Sequence, residues 1–330
     1  MSPTIDRRAF LLGAGALLAA GRAAAQAPGR GYRVGVLWSS GALASPDYRS
    51  AFVSQLASHG FVEGRNLRVD SRSALDWSAD VQSVKELVAL KADAIVALTT
   101  SVTLAAQAAT KTVPIVFAWV ADPVLSGIVK DYARPGGNTT GVTNRFFELT
   151  IKRIELLREL MPSAKRIAAV GFLGFPLFQA GMPRVRNAAR QFGFELIETD
   201  VGGPFWTPAI ESAIKAGAEA VLPIIGFAVA GQRTSGEQVV QLALQKRVPM
   251  VFADAEMVEL GGLMSYGTHP GNDLRRAADL VAKVLDGGKP SELPVDQASR
   301  FELAVNLKTA RAIGLTIPQS ILLRADRVIE

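Results

Sequence analysis

Apolar positions in this chain fall into short runs rich in Val and Ile, separated by stretches with helical spacing. Tyr32–Trp38 (YRVGVLW) reads as a strand. Ser45 then caps a helix with Pro46 at its first position and Ala51, Phe52 and Leu56 on one face. Leu67–Val69 is a short strand, and Ser78 caps a helix with the stripe Val81, Val84, Leu87 and Val88. Two further runs, Ala94–Leu98 and Val113–Val120, carry no alternation and read as strands buried on both faces, with a helix over about 101–110 between them. Strands and helices alternating at this spacing predict right-handed βαβ units and a parallel sheet.

The pattern breaks at Ala133–Gly141 (ARPGGNTTG), which has the composition of a turn or linker. A helix over about 148–161 follows, and the alternation then restarts with strands at Arg166–Gly171, Phe194–Thr199, Ala220–Ile225 and Met250–Ala253. Helices are expected between them at Val185–Phe192, Pro208–Ala216 and Glu237–Lys246. The second series repeats the first. Lys111–Ala118 (KTVPIVFA) and Lys246–Ala253 (KRVPMVFA) agree at six of eight positions. Leu90–Leu98 matches Lys215–Ile224 in pattern, and His59–Asp70 has a shorter counterpart in Phe192–Asp200. Three matches in the same order predict two similar α/β lobes, split near Thr139–Asn144.

The first 27 residues stand apart. Arg7-Arg8 precede Phe10-Leu11 and the apolar run Leu11–Ala20, and small residues follow at Ala23–Ala27. That is the layout of a cleavable export signal of the twin-arginine type, with cleavage after Ala25 or Ala27. The apolar run is shorter than the ~20 residues a membrane span needs. Without Cys, stability in an oxidising compartment rests on packed cores. The same absence removes thiol nucleophiles, Cys-based zinc sites and iron–sulfur clusters. Losing Arg7, Arg8 and Arg22 with Asp6 lowers the formal charge from +6 by two. The remaining basic residues are scattered rather than clustered, so nucleic acid is not an expected partner.

No dinucleotide fingerprint, Walker sequence, H-E-x-x-H or G-x-S-x-G is present, and His59 and His269 are the only imidazoles. What the pattern does offer is polar and aromatic residues at strand ends, where open α/β sheets bind ligands. In the first lobe these are Trp38, Ser39, Ser40, Thr99, Thr100, Ser101, Trp119 and Asp122. In the second they are Phe172, Phe227 and Asp254, with Thr143, Asn144 and Tyr266 near the crossings. Thr99, Thr100 and Ser101 are equally suited to capping a helix, and Asp122 before Pro123 to capping a turn.

HGFVEGRNL at His59–Leu67, the PIVF…DPV stretch, Tyr132–Thr143, GGLMSYG at Gly261–Gly267 and the C-terminal FELAVNLKTARAIGLTIPQSILLRADRVIE together resemble one family. It is the ABC-transporter substrate-binding proteins related to the tryptophan and tyrosine binders, and the resemblance covers nearly the whole chain after the signal. It implies a type I periplasmic-binding fold: two Rossmann-like lobes with parallel sheets, joined by a hinge and closing on a small molecule. It also implies delivery to an ABC permease in the inner membrane, a periplasmic location and no catalytic role or cofactor. Residues 28–142 with part of 267–330 would form one lobe. Residues 143–266, with any remaining part of the C-terminal segment, would form the other. A monomer is expected. On this reading the ligand is an amino acid, aromatic or otherwise, or a similar small organic molecule. Ser101 with the first-turn amides of its helix, and Ser39 and Ser40, would hold a carboxylate. Asp122 and Asp254 would hold an ammonium group, and Thr100 would line the same site. Trp38, Trp119, Phe172, Phe227 and Tyr266 would flank the side chain. An exported enzyme using Asp122, Asp254 or His269 in the same cleft is the alternative. A transcriptional repressor would need a helix-turn-helix before Tyr32, where the signal stands.

Overall fold

A computed structural model describes residues 31–39, 46–74, 77–203, 205–226 and 233–330. The proposed export signal, Ser40 and Phe227 lie outside the described residues. The first sheet collects β1 (Tyr32–Ser39), β2 (Leu67–Ala74), β3 (Ala94–Leu98), β4 (Ile115–Val120), β5 (Thr139–Thr143) and β11 (Asp296–Gln297). Their order is β11-β5-β4-β3-β1-β2 and every pairing is parallel. Helices α1 (Pro46–Ser58) and α9 (Pro270–Leu285) bury Phe52, Leu56, Leu274 and Val281 against one face. On the other face α2 (Trp77–Ala89) and α3 (Thr100–Ala109) contribute Val84, Leu87, Val102 and Ala106. With both faces covered, β3 and β4 are buried along their whole length, which explains their unbroken apolar runs.

The second sheet is built from β6 (Arg166–Gly171), β7 (Glu195–Asp200), β8 (Ala220–Pro223), β9 (Val251–Phe252), β10 (Met264–Gly267), β12 (Glu302–Asn306) and β13 (Arg327–Ile329). It falls into two groups, β7-β6-β8 and β9-β10-β12-β13, joined by one bridge between Val221 and Met250. Only β10 and β12 run antiparallel. α4 (Phe146–Leu160) and α5 (Pro176–Gln191) cover one face. α6 (Trp206–Lys215), α7 (Arg233–Lys246) and α8 (Ala255–Glu259) cover the other.

The three sequence matches land on equivalent strands. β2 and β7 are the first in the orders 2-1-3-4-5 and 7-6-8-9-10, β3 and β8 the third, β4 and β9 the fourth. The internal repeat is therefore a repeat of topology. Three expectations differ from the structure. α2 begins at Trp77, so Ser78 lies within its first turn instead of preceding it as a cap. Thr139–Thr143 overlaps the end of the predicted linker Ala133–Gly141 yet is a fully buried strand, and Gly141 packs directly onto the carbonyl of Phe117, which lets β5 approach β4. The helix expected from Val185 begins at Pro176 instead, with Pro176 at its first position and Pro183 inside it. Pro176 fits the first turn, where its missing N–H is not needed, whereas Pro183 lies inside the helix, where sequence reads a break.

The chain crosses between the sheets three times: from β5 into α4, from β10 into α9, and from β11 into β12. α9 and β11 consequently return to the first sheet, while α10 (Leu307–Ile313), α11 (Gln319–Leu322) and β13 stay with the second. At the crossings the Ala298 N–H donates to the Thr143 carbonyl at 3.1 Å and the Phe146 N–H to that of Ala121 at 3.3 Å.

Candidate functional site

In each sheet the strand order reverses once, between β1 and β3 and between β6 and β8. Such switch points open a crevice beyond the carboxyl ends of the strands. At the first, Trp38 and Trp119 are both 3 % exposed and share one cluster with Tyr48 of α1. The Tyr48 and Trp119 rings meet edge to face at 6.1 Å. The register of β4 against β5 shifts between Phe117 and Val120, a bulge that carries Trp119, whose φ is 58°. Its indole Nε1 is buried with no hydrogen-bond partner. Thr99, the residue after β3, has φ 87° and donates its N–H to the Ala118 carbonyl at 3.0 Å. Thr99 makes no side-chain cap for α3. Its Oγ1 lies 3.3 Å from the Ser101 hydroxyl, leaving the first-turn amides of that helix uncapped by a side chain.

Among the described residues, polar side-chain bridges join the lobes on each face of the first sheet. Tyr48 donates its hydroxyl to Glu256 of α8. Burial, and then the Glu256 carboxylate, hold this phenol well above its ordinary pKa, so it stays a neutral donor. On the opposite face Arg184 of α5 donates to Asp122 Oδ2 at 2.9 Å. Asp122 Oδ1 accepts the Leu125 N–H at 2.9 Å and the Val124 N–H at 3.2 Å, the turn-capping geometry. Tyr132 approaches the same oxygen at 3.4 Å. Burial first, and Asp122 next, push its phenol up to about 12.

Near the Tyr48 bridge lies a small cavity of about 40 Å³, lined by Tyr48 from the first lobe and Asp254, Glu256, Glu259, Glu302 and Arg327 from the second. Arg327 reaches Glu259 at 2.7 Å and Glu302 at 3.7 Å. Asp254 is 4 % exposed, and a Cβ on Gly226 would come within 2.9 Å of its Oδ1, so the β8 tip needs glycine for this carboxylate to fit. Beneath it Arg153 of α4 is 1 % exposed; its charge favours that of Asp254, yet burial brings the guanidinium down to about 10.

Residues 42–329 match the family described as ABC transporter substrate binding protein. The chain belongs to that family. A tyrosine-binding protein of Clostridioides difficile is 26% identical over 269 residues, spanning 81% of this chain and 76% of that protein. A conserved domain protein from Vibrio cholerae superposes with a TM-score of 0.80 at 29% identity, covering 91% of this chain and 100% of that one. The ABC domain in complex with L-Trp from Streptococcus pneumoniae gives 0.78 at 26%, with the same coverage. The fold is the type I periplasmic-binding fold, in a family of solute-binding proteins rather than enzymes. A substrate-binding protein of this kind works outside the cytoplasm with a small-molecule ligand and a transporter permease.

Among the expected site residues of this substrate-binding protein, Trp38 and Trp119 come together with Tyr48. Ser39 ends β1, and Thr100 and Ser101 form the first turn of α3. Tyr266, on the second crossing, packs against Phe301 of the third at 6.0 Å. Thr143 is buried and serves the first crossing, donating to the Val120 carbonyl at 2.8 Å and accepting the Arg145 N–H at 3.2 Å. Asn144 next to it has a buried Oδ1 without a partner. Phe172 packs edge to face on Trp206 at 5.4 Å and on Phe175 at 6.0 Å. Sequence reading passed over Tyr48, Arg145, Arg184, Glu256 and Phe301. Tyr48 and Arg184 lie inside helices, where no strand-end signal points to them. Arg145 directly follows Thr143-Asn144, and that adjacency was the available clue.

Proposed function

We propose that this chain is the solute receptor of an ABC importer, exported by the twin-arginine route to the periplasm, monomeric, and binding an aromatic amino acid or a similar small organic molecule between its lobes. The observation that carries this reading is the group Trp38, Tyr48 and Trp119 at the first switch point, beside an uncapped helix N-terminus. Aromatic faces take up a ring, while uncapped amides favour an anion. The binding of tyrosine and of L-Trp by relatives at about a quarter identity supports the same choice. The moving bodies are the first sheet with α1–α3, α9 and β11, and the second sheet with the remaining helices, bending at the three crossings. Ligand favours the closed form by its higher affinity for it.

A thermal-shift screen of the protein lacking residues 1–27 tests this. L-tyrosine or L-tryptophan at a hundred times Kd should add about 2.7 kcal/mol, raising Tm by roughly 5 °C or more. A shift from sugars alone would sink the amino-acid reading. The bridges between the lobes give a second expectation. Tyr48→Phe removes one hydrogen bond between the lobes, worth about 1 kcal/mol. The ligand-free protein should then be several-fold more open, with a larger radius of gyration in small-angle X-ray scattering. An unchanged radius would mean that this contact does not oppose opening.

A further inference from the structure

Among the described residues, five non-glycine positions have positive φ: Lys91, Thr99, Trp119, Arg145 and Arg247. Lys91 and Arg247 lie just beyond the ends of α2 and α7, and the next amides, of Ala92 and Val248, return to Leu87 and Ala243, so both are ordinary left-handed helix ends. The other three stand side by side at the carboxyl tips of β3, β4 and β5. Backbone strain gathered at one end of three adjacent strands marks a functional site rather than a folding need.

Arg145 is the member of this trio that no other role absorbs. It is left-handed (φ 52°, ψ 43°) at the start of α4, and it occupies the first crossing. Its guanidinium lies over the Phe301 ring at 5.8 Å, and Phe301 in turn packs on Tyr266. One residue from each crossing thus joins a single stack. Arg184 and Arg327 have carboxylate partners, but no carboxylate pairs with Arg145 among the described residues. Its Nε is buried and makes no hydrogen bond. The tips of β4 and β5 hold two more buried atoms in the same condition, the Trp119 indole donor and the Asn144 Oδ1 acceptor. A buried guanidinium nitrogen without an acceptor is costly, and an anionic group satisfies it with a charge-assisted bond.

We propose that Arg145 is a second anion anchor of the cleft beside the uncapped amides of α3, holding the carboxylate of the ligand from the hinge itself. The inference rests on the receptor reading and narrows it: the ligand is a carboxylate, and the group that binds it also bends. The guanidinium stays on Phe301 while its free edge donates to the carboxylate, so occupancy stiffens all three crossings together. This also accounts for the carboxylate of Asp122 being already engaged by Arg184 and two backbone amides.

The test compares L-tyrosine and L-tryptophan with tyramine and tryptamine, which lack only the carboxylate, by calorimetry on wild type and on Arg145→Ala. Wild type should prefer each amino acid over its amine by about 100-fold. In Arg145→Ala that ratio should fall below about 10. A purely structural role would weaken both compounds alike and leave the ratio intact, which overturns the proposal. Arg145→Lys keeps the charge without the planar fork and should fall between the two, and it serves where the alanine variant fails to fold. If another carboxylate binds in place of the aromatic amino acids and loses affinity in Arg145→Ala, the amino-acid reading falls and Arg145 stands. If a neutral solute binds and Arg145→Ala leaves it unchanged, the receptor stands and Arg145 falls.

Discussion

Gly267→Ala should cost this protein about 3 kcal/mol or more, seen as a loss of roughly 10 °C in Tm or an equivalent fall in the denaturant midpoint. Gly267 ends β10 and opens the second crossing, paired with Glu302 across the antiparallel ladder. A Cβ there would fall inside the contact radius of the Ala253 carbonyl oxygen. The obstacle is backbone against backbone, so no side chain can rotate to relieve it. Its neighbour in the GGLMSYG run, Gly262, is under the same constraint, with the Met257 carbonyl oxygen 2.6 Å from an added Cβ. Gly314 is the control: its φ is 80° but nothing lies within 4 Å, so alanine there should cost only about 1 kcal/mol. A Gly267→Ala protein within 3 °C of wild type would show that β9 and β10 separate more easily than their packing implies. Because the site is a crossing, the substitution should also weaken ligand binding.

Arg153→Ala should destabilise by about 3–5 kcal/mol. The side chain is among the largest fully buried ones, lies over the Phe146 ring at 4.9 Å, and donates from Nη2 to Thr150 Oγ1 at 2.7 Å. Alanine leaves a cavity and removes the cation that favours the charge of buried Asp254. Arg153→Met separates these effects. Nη1 has no partner, and the other bonds return to the helix's own turn, so the polar head adds little once desolvated. Methionine should therefore recover more than half of the loss, measured by urea denaturation at pH 7. Equal losses in both variants would assign the stability to charge instead of packing.

Much of the fold was legible because parallel strands buried on both faces leave continuous apolar runs, as at Ala94–Leu98. The octapeptide shared by Lys111–Ala118 and Lys246–Ala253 pointed to equivalent strands for the same reason: each must cross a closed sandwich at the same place. β5 was hidden because Thr and Gly fill its core positions, the hydroxyls satisfied by partners distant in sequence such as the Leu293 and Val120 carbonyls and the Gly serving a close approach. The start of α5 was hidden by two prolines, one harmless at the first position and one tolerated inside. For the site, strand ends were readable, but Tyr48, Arg184 and Glu256 act across the lobe boundary from helices. Nothing local in their sequence marks such a contact. Strain at Thr99, Trp119 and Arg145 is a backbone property that composition does not carry.

The return of α9 and β11 to the first sheet has a consequence for how the chain matures. Leu274, Ala277, Ala278 and Val281 of α9 cover the face formed by Val34, Val36, Val96 and Val116. Those strands are synthesised well before their cover, with the strands from β6 to β10 made in between. During synthesis the early half therefore waits with this face covered by α1 alone, and contacts of this sequence separation close late and slowly. A chain stopped before Pro270 would hold every strand of the first sheet except β11 and still lack the helix that seals it. Completion is thus a property of the whole polypeptide, and the two halves reach their native state together.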